Sequence, residues 1–402
     1  GHQLQLDRGD VLRRGALWHA GQPFTAADVL FTVERIRQDN VPSVWRGYLS
    51  SLASIAATDD HTIKVTYAEP YGPTLASWTF GIIPRHIFEG HKLTDAAANR
   101  SPIGTGPFRF VRWTPRKHIL VEANDKHWRQ RPRLDKVEIV FDTQAGQSLA
   151  ALRAGKLDLA EIDSPEQWSG EILTPEFRGQ YETATLDESS MVVVAWNCQR
   201  RPLSDRRVRL AMTHALDRAR VIEDVLMGAG RRISGPFYST MWGSDPDIAP
   251  WPFEVEKAAL LFDAANARRV GRKRFSFELI TLQSHKGPIF DSLLAIWRNS
   301  LQALGVDVRV TFLSPSDFVG RMILHDFDAA YFKWWPDIAD PDPFVLLHSS
   351  QMGEGANYAG YANANADRLL EKARGTTDRW ARRENYRDLH RVIHDDQPYT
   401  FI

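Results

Sequence analysis

The order of hydrophobic patterns along the chain predicts an α/β protein built of two bodies. Three observations carry the prediction. The chain has 402 residues, too many for one ordinary core at ~150 residues per domain. Short alternating apolar runs recur between stretches of helical spacing, the order that lays helices against a largely parallel sheet. Hydrophobic residues are 43% and charged residues 25% of the chain, the balance of a folded domain rather than a disordered or fibrous one.

The elements follow in order. Val11 to Gly15 reads as a strand entering the turn Ala16–Pro23. Thr25, with Asp28 three residues on, is a capping-box start, and Val29, Val33 and Ile36 form one helical face with Phe31 off it. Thr62–Tyr67 alternates with period two, as a half-buried strand does. Gly104-Thr105-Gly106 turns the chain into a strand at Phe108–Trp113, and Leu134–Phe141 alternates again. Gln147–Ala154 is a short helix closed by Gly155, and Leu157–Leu159 resumes as a strand, giving a strand–helix–strand unit. Ser189–Asn197 is the most apolar strand; Ser204-Asp205 then caps a long helix to about Met227-Gly228. A proline- and aromatic-rich connection, Gly235–Phe253, leads to a second α/β unit: strand Phe275–Leu282, helix Ile289–Leu304, strand Val306–Phe312, helix Phe318–Leu324 and strand Phe327–Phe332. Helices at Asp367–Ala373 and Trp380–Ile393 close the chain before the extended Pro398–Ile402.

Composition excludes several functions. Fifty Lys and Arg balance fifty Asp and Glu, so no whole-protein basic field exists for nucleic acid or an anionic membrane. The longest apolar run, Met191–Trp196, is far short of the ~20 residues of a membrane helix. The single cysteine, Cys198, excludes an internal disulfide framework and a multi-cysteine zinc site. The sequence holds no GxxxxGK[ST] loop, HExxH, GxSxG or GxGxxG. No leader is visible at the start, which is expected of a cytoplasmic chain or of one whose leader was removed.

Three features remain as chemistry. His390 and His394 lie at i, i+4 on a helix, a spacing at which two imidazoles share a metal and which equally suits a polar helix end. Asp337, Asp340 and Asp342 follow Phe332-Lys333-Trp334-Trp335 at the carboxyl end of a strand. Ligands of open α/β sheets bind beyond strand ends; carboxylates walled by indoles there fit a cation or ammonium, and a solvated proline-rich loop is the other reading. A calcium loop would need a glycine and a distal glutamate in register. The 13 tryptophans serve mostly as core, and some as cleft lining.

In sequence order, segments along nearly the whole chain resemble the solute-binding proteins of bacterial ABC importers, family 5, the oligopeptide, dipeptide and nickel group. Leu12–Val29, with Trp18-His19, Gly21, Pro23-Phe24-Thr25 and Asp28, is similar to the family signature, with Ala20 where an aspartate is usual. Pro102–Phe108, Asn124–Asp135, Ala154–Asp158, Asn197–Arg218, Phe327–Pro341 and Asn357–Asp367 resemble further family motifs.

The resemblance implies an α/β fold: a two-lobed periplasmic-binding-protein clamshell, class II-like with an extra subdomain, hinged by crossing strands. Residues 1–106 would be the extra subdomain of the first lobe, 107–215 its core, 216–392 the second lobe and 393–402 a return segment. The family's N-terminal and extreme C-terminal segments are expected to be missing from this chain. The implied function is extracytoplasmic capture of a peptide by hinge closure and delivery to the transmembrane subunits of an ABC permease, without catalysis or cofactor. The protein would be a monomer, periplasmic or lipid-anchored at the cell surface. Asp337 would pair with the ligand's α-amino group, Trp334 and Trp335 match the aromatic positions before it, and Trp196 and Asn197 match a cleft-facing strand. Lys286 and His285, by position after the strand Phe275–Leu282, would meet a carboxylate. Nickel-chelate or oligosaccharide binding, or a ligand-sensing role in a cytoplasmic regulator, are the alternatives; a hydrolase has no nucleophile–base spacing to support it.

Overall fold

The structure, a computed structural model, describes residues 12–38, 43, 45–93, 97–141, 147–162, 164–186, 189–238, 240–335, 340–353 and 355–402. The chain divides into two compact units. One holds residues up to Pro70 together with Ser77–Ser164, and the other holds Tyr71–Ala76 together with Pro165–Ile402.

In the first unit, α1 (Ala26–Arg37) begins where the sequence places it. Asp28 is buried and ties the start together: its carboxylate accepts from the Thr25 N–H at 3.0 Å, the Trp18 indole at 3.1 Å and the Arg85 N–H at 2.9 Å. His19 reads the glycine turn, its Nδ1 accepting from the Gly104 N–H and its Nε2 donating to the Gly106 carbonyl. The signature residues of this stretch are therefore a structural knot. Strands β1 (Leu52–Asp59) and β2 (Thr62–Tyr67) form a hairpin, and β3 (Phe108–Thr114), β4 (His118–Ala123) and β5 (Lys136–Val140) an antiparallel meander. Helix α2 (Gln147–Arg153) follows.

Two expectations change here. Leu157–Leu159 forms no strand, and Leu159 is 87% exposed; a strand exists only with a hydrogen-bonded neighbour, and none pairs with it among the described residues. The described part of Val11–Gly15 is likewise a turn, followed by a single Leu17–Pro23 bridge.

The second unit is built on a five-stranded sheet of β6 (Met191–Trp196), β7 (Phe275–Leu282), β8 (Val306–Leu313), β9 (Ala329–Trp334) and β10 (Tyr399–Phe401), in the order β10-β6-β9-β7-β8. β7, β8 and β9 run parallel; β6 is antiparallel to β9 and to β10. Both faces are covered, as a parallel core requires. One face packs Val194, Trp196, Phe277 and Leu279 on α3 (Arg206–His214), α4 (Val255–Ala264) and α5 (Pro288–Leu304). The other packs Val193, Ala195, Ile280, Ala330 and Phe332 on α6 (Pro315–Ile323), α7 (Phe344–Leu347), α8 (Ala364–Gly375) and α9 (Arg379–Asp396).

The expected long helix after Ser204 stops at His214. Asp217 starts a new turn by accepting from the Arg220 N–H, and the next turn is wide, Val221–Val225. The break lets Arg218 turn inward, where its guanidinium donates to the Phe401 carbonyl. Hydrogen bonds also place β6 with the residues after 216, because its neighbours are β9 and β10. No helix among the described residues is long and apolar enough to cross a membrane.

Candidate functional site

Parallel strands bring their carboxyl ends to one side of a sheet, and crossover helices start there. In the second unit this side collects the ends of β7, β8 and β9 and the start of α5. Leu279 lies opposite Ala329 and Ile280 opposite Ala330, so His285 and Lys286, just past β7, share an end with Trp334 and Trp335, at the end of β9.

His285 is oriented by its neighbours. The buried Thr281 hydroxyl has one proton and donates it to the Tyr331 carbonyl at 2.9 Å. Toward His285 Nδ1, 2.8 Å away, it therefore accepts. That fixes the proton on Nδ1 and leaves Nε2 as an acceptor. The ring stands edge-on to Tyr331, 5.4 Å between centroids, and Tyr331 in turn meets Phe290 of α5 at 4.9 Å. Burial and the nearby Lys333 hold His285 below the ordinary imidazole range, so it is neutral at pH 7. His285 thus presents a lone pair, which suits an N–H donor, and Lys286 next to it is exposed. Beside Lys286, α5 begins at Gly287-Pro288 with no side chain capping its first N–H groups, an arrangement that favours an anion. Trp334 is half-buried against the core and Trp335 is 53% exposed, with the Lys333 ammonium 5.1 Å from its ring centre. Asp337 lies outside the described residues.

Trp196 and Asn197 are elsewhere. Met191 pairs with Trp334, and Trp196 with Ala329. The two tryptophans thus sit at opposite ends of a six-residue strand pair, about 17 Å apart at ~3.3 Å per residue. Trp196 is fully buried; its indole donates to Thr400 Oγ1 at 3.0 Å and meets Phe277 and Trp297 edge-on. Asn197 is also buried: its Nδ2 donates to the carbonyls of His325 and Phe327, both at 2.9 Å, and its Oδ1 accepts from the Gln199 N–H. Both side chains are enclosed, and their N–H donors are spent within the protein. Both are corrected to structural residues.

The other polar clusters are also engaged. His390 Nδ1 accepts from the Asp245 N–H at 3.1 Å, so its proton is on Nε2, 3.0 Å from Ser234 Oγ. The ring donates to the serine; the opposite tautomer would be needed for a base. Gly235 passes so close that any Cβ would collide with this ring. His394 Nε2 faces the Ala249 carbonyl, and its ring stacks on Trp251. No group of three potential metal-ligating side chains occurs among the described residues. Asp340 and Asp342 are each paired with an arginine, Arg382 and Arg374. Burial pushes the Cys198 thiol up to about 11, which keeps it protonated and unreactive. The residues that sequence reasoning missed at the strand ends are Thr281 and Tyr331. Their signal was position alone, on β7 four residues before His285 and on β9 three before Trp334.

Residues 11–355 match the model of the bacterial extracellular solute-binding proteins, family 5 Middle. The oligopeptide-binding protein AppA of Bacillus subtilis is 29% identical over 420 residues, 99% of this chain and 76% of its own length. Its structure in complex with a nonapeptide superposes with a TM-score of 0.85 at 27% identity, covering 97% of this chain and 80% of that one. The heme-binding protein A of Haemophilus influenzae is 27% identical over 96% of this chain and 74% of its own. The periplasmic binding protein DppA of Helicobacter pylori, in complex with the peptide STSA, gives a TM-score of 0.82 at 25% identity, covering 97% and 79%.

Proposed function

Because the chain belongs to the bacterial extracellular solute-binding proteins, family 5, we propose that it captures a peptide outside the cytoplasm, without turnover, and hands it to the transmembrane subunits of an ABC importer. The observation that carries the reading is the chemistry at the carboxyl ends of β7 and β9: an exposed indole, a neutral imidazole acceptor and a lysine beside a helix start, all on one side of the sheet. A peptide offers the matching groups, an ammonium, N–H donors and a terminal carboxylate. The likeness to oligopeptide- and dipeptide-binding relatives over nearly the whole chain supports the same choice.

In this reading Trp334 and Trp335 give apolar wall, and Asp337 takes the α-amino group in a charge-assisted pair. His285 Nε2 accepts a backbone N–H, and Lys286 with the start of α5 takes the carboxylate. Contacts to backbone and termini, with side chains in wet pockets, give affinity with loose sequence preference. The protein works as a monomer, in the periplasm or tethered at the cell surface, without cofactor or nucleic acid. Inert Cys198 and the donor tautomer of His390 support binding without catalysis.

Native mass spectrometry of the purified protein, before and after mild denaturation, tests this. A released series spaced by amino-acid residue masses is expected; a released nickel complex, heme or sugar would replace the peptide reading.

A further inference from the structure

The chain as a whole carries no net charge, yet its charge is unevenly spread. Arg268, Arg269, Arg272, Lys273 and Arg274 place five cations in seven residues, against 50 in the 402 of the chain. No Asp or Glu occurs from 264 to 277. Such a run makes a local field even where the whole protein is neutral.

The segment joins α4 to β7 in the second unit. Val270 and Lys273 pair across a two-residue turn: the Val270 N–H donates to the Lys273 carbonyl at 2.8 Å, and the Lys273 N–H to the Val270 carbonyl at 3.3 Å. Gly271 takes the turn at φ +65°, which glycine adopts without steric cost. Two arginines fasten the base of this tongue. Arg274 donates through Nη1 to Asp263 at 2.5 Å and to the Ala267 carbonyl at 2.7 Å, and through Nε to the Leu304 carbonyl at 2.9 Å. Arg269 donates to the Ala303 carbonyl. Ala303 and Leu304 end α5, where helix carbonyls lack partners of their own. Gly305 passes so close that a Cβ would strike the Arg272 carbonyl.

The other three cations are left over. Arg268, Arg272 and Lys273 are exposed, and among the described residues no side-chain hydrogen bond or ion pair engages them. Asp263, the nearest carboxylate along the chain, is taken by Arg274, and Asp307 stands opposite Ser276 on β8. Between these cations Val270 is 85% exposed. A lone exposed valine is ordinary. A valine held on a fastened turn among three unspent cations has the make-up of an interfacial anchor, with charge for headgroup phosphates and an apolar tip for the acyl boundary. An acidic protein surface would meet the cations and offer the valine nothing.

We propose that residues 268–273 form a docking tongue for an anionic lipid surface. Arg268, Arg272 and Lys273 sit on headgroup phosphates, and Val270 enters the boundary beneath them. The tongue lies at the amino end of β7 and the candidate site at its carboxyl end, eight residues or about 25 Å away. Docking therefore leaves solute capture free, and the inference goes beyond the solute reading.

The test is sedimentation of the whole chain with vesicles of phosphatidylcholine, alone or with about one-third phosphatidylglycerol, at low and high salt. Wild type is expected to bind only the anionic vesicles and to leave them at high salt, as screening shortens the reach of the field. The triple variant Arg268→Gln, Arg272→Gln, Lys273→Gln should bind about a hundredfold more weakly, at about fivefold per cation. Val270→Ser keeps every charge and should weaken binding about tenfold, the transfer of one valine side chain from water. All four positions are exposed, so circular dichroism and affinity for a randomised tripeptide library should stay at wild-type values. No binding of wild type to anionic vesicles, or undiminished binding by the triple variant, would overturn the assignment. Loss in the triple variant with none in Val270→Ser would overturn the lipid assignment too, and give the tongue to an acidic protein surface. A wild-type protein that binds no tripeptide would sink the peptide reading and leave the vesicle comparison standing.

Discussion

The two ends of the β6–β9 strand pair make opposite uses of tryptophan. At one end Trp196 is fully enclosed, its indole nitrogen satisfied by Thr400, and Asn197 beside it spends its amide on two carbonyls and a backbone N–H. At the other end Trp335 stands half in solvent beside Lys333, with His285 and Lys286 beyond the neighbouring strand. The strands are shared, so the difference comes from what covers each end. Helices and β10 close the Trp196 end, whereas the ends of three parallel strands meet at the Trp334 end. Residue type alone does not distinguish a core indole from an exposed one; position along the strand pair does.

Substitutions should separate the two ends. The largest effect is expected from Trp196→Ala, about 3–5 kcal/mol of lost stability for a deleted core aromatic, measured by urea unfolding. Any loss of solute binding should then follow the unfolded fraction.

Acid comes next. His390 is held down to about 4, first by burial and then by His394. A histidine whose folded pKa lies below its unfolded value stabilises the fold above pH ~6.5, and this is lost as pH falls toward 4. The full effect is about 3 kcal/mol, since each unit corresponds to ~1.4 kcal/mol. Urea midpoints should fall between pH 7 and 4.5, and His390→Gln should flatten that slope. An unchanged slope would remove His390 from the account.

Asn197→Ala leaves the His325 and Phe327 carbonyls without their donor and should cost about 1–3 kcal/mol, again with affinity per folded molecule unchanged. The smallest effect on stability is expected at the open end. Trp335→Ala and Lys286→Ala should stay within ~0.5 kcal/mol of wild type, yet each should weaken tripeptide-library binding measurably by calorimetry.

Much of the fold was legible because its signals are local. Thr62–Tyr67, from its alternation, and Phe275–Leu282 appear with the boundaries read from the sequence, and Thr25 with Asp28 starts α1 as the capping pattern says. Pairing is not local, and the misreadings lie there. Leu157–Leu159 has strand-like residues and no strand to join. The stretch after Ser204 has helical composition, but Asp217 offers its carboxylate to the Arg220 N–H and restarts the chain in a new direction. The strand ending at Trp334, ahead of the acidic cluster, was legible from its residues. Trp196 and Asn197 were misplaced because a motif shows that residues matter and not why: the continuous apolar run Met191–Trp196 was itself the signature of a strand buried on both faces. The Arg382–Asp340 and Arg374–Asp342 ion pairs were invisible because the partners lie more than thirty residues apart.

The most direct test of the account is hydrogen exchange mapped along the whole chain, with and without a saturating randomised tripeptide library. The account predicts new protection at residues 282–288 and 333–340, with 196–200 unchanged. Protection centred on 196–200, with the other two segments unmoved, would contradict it.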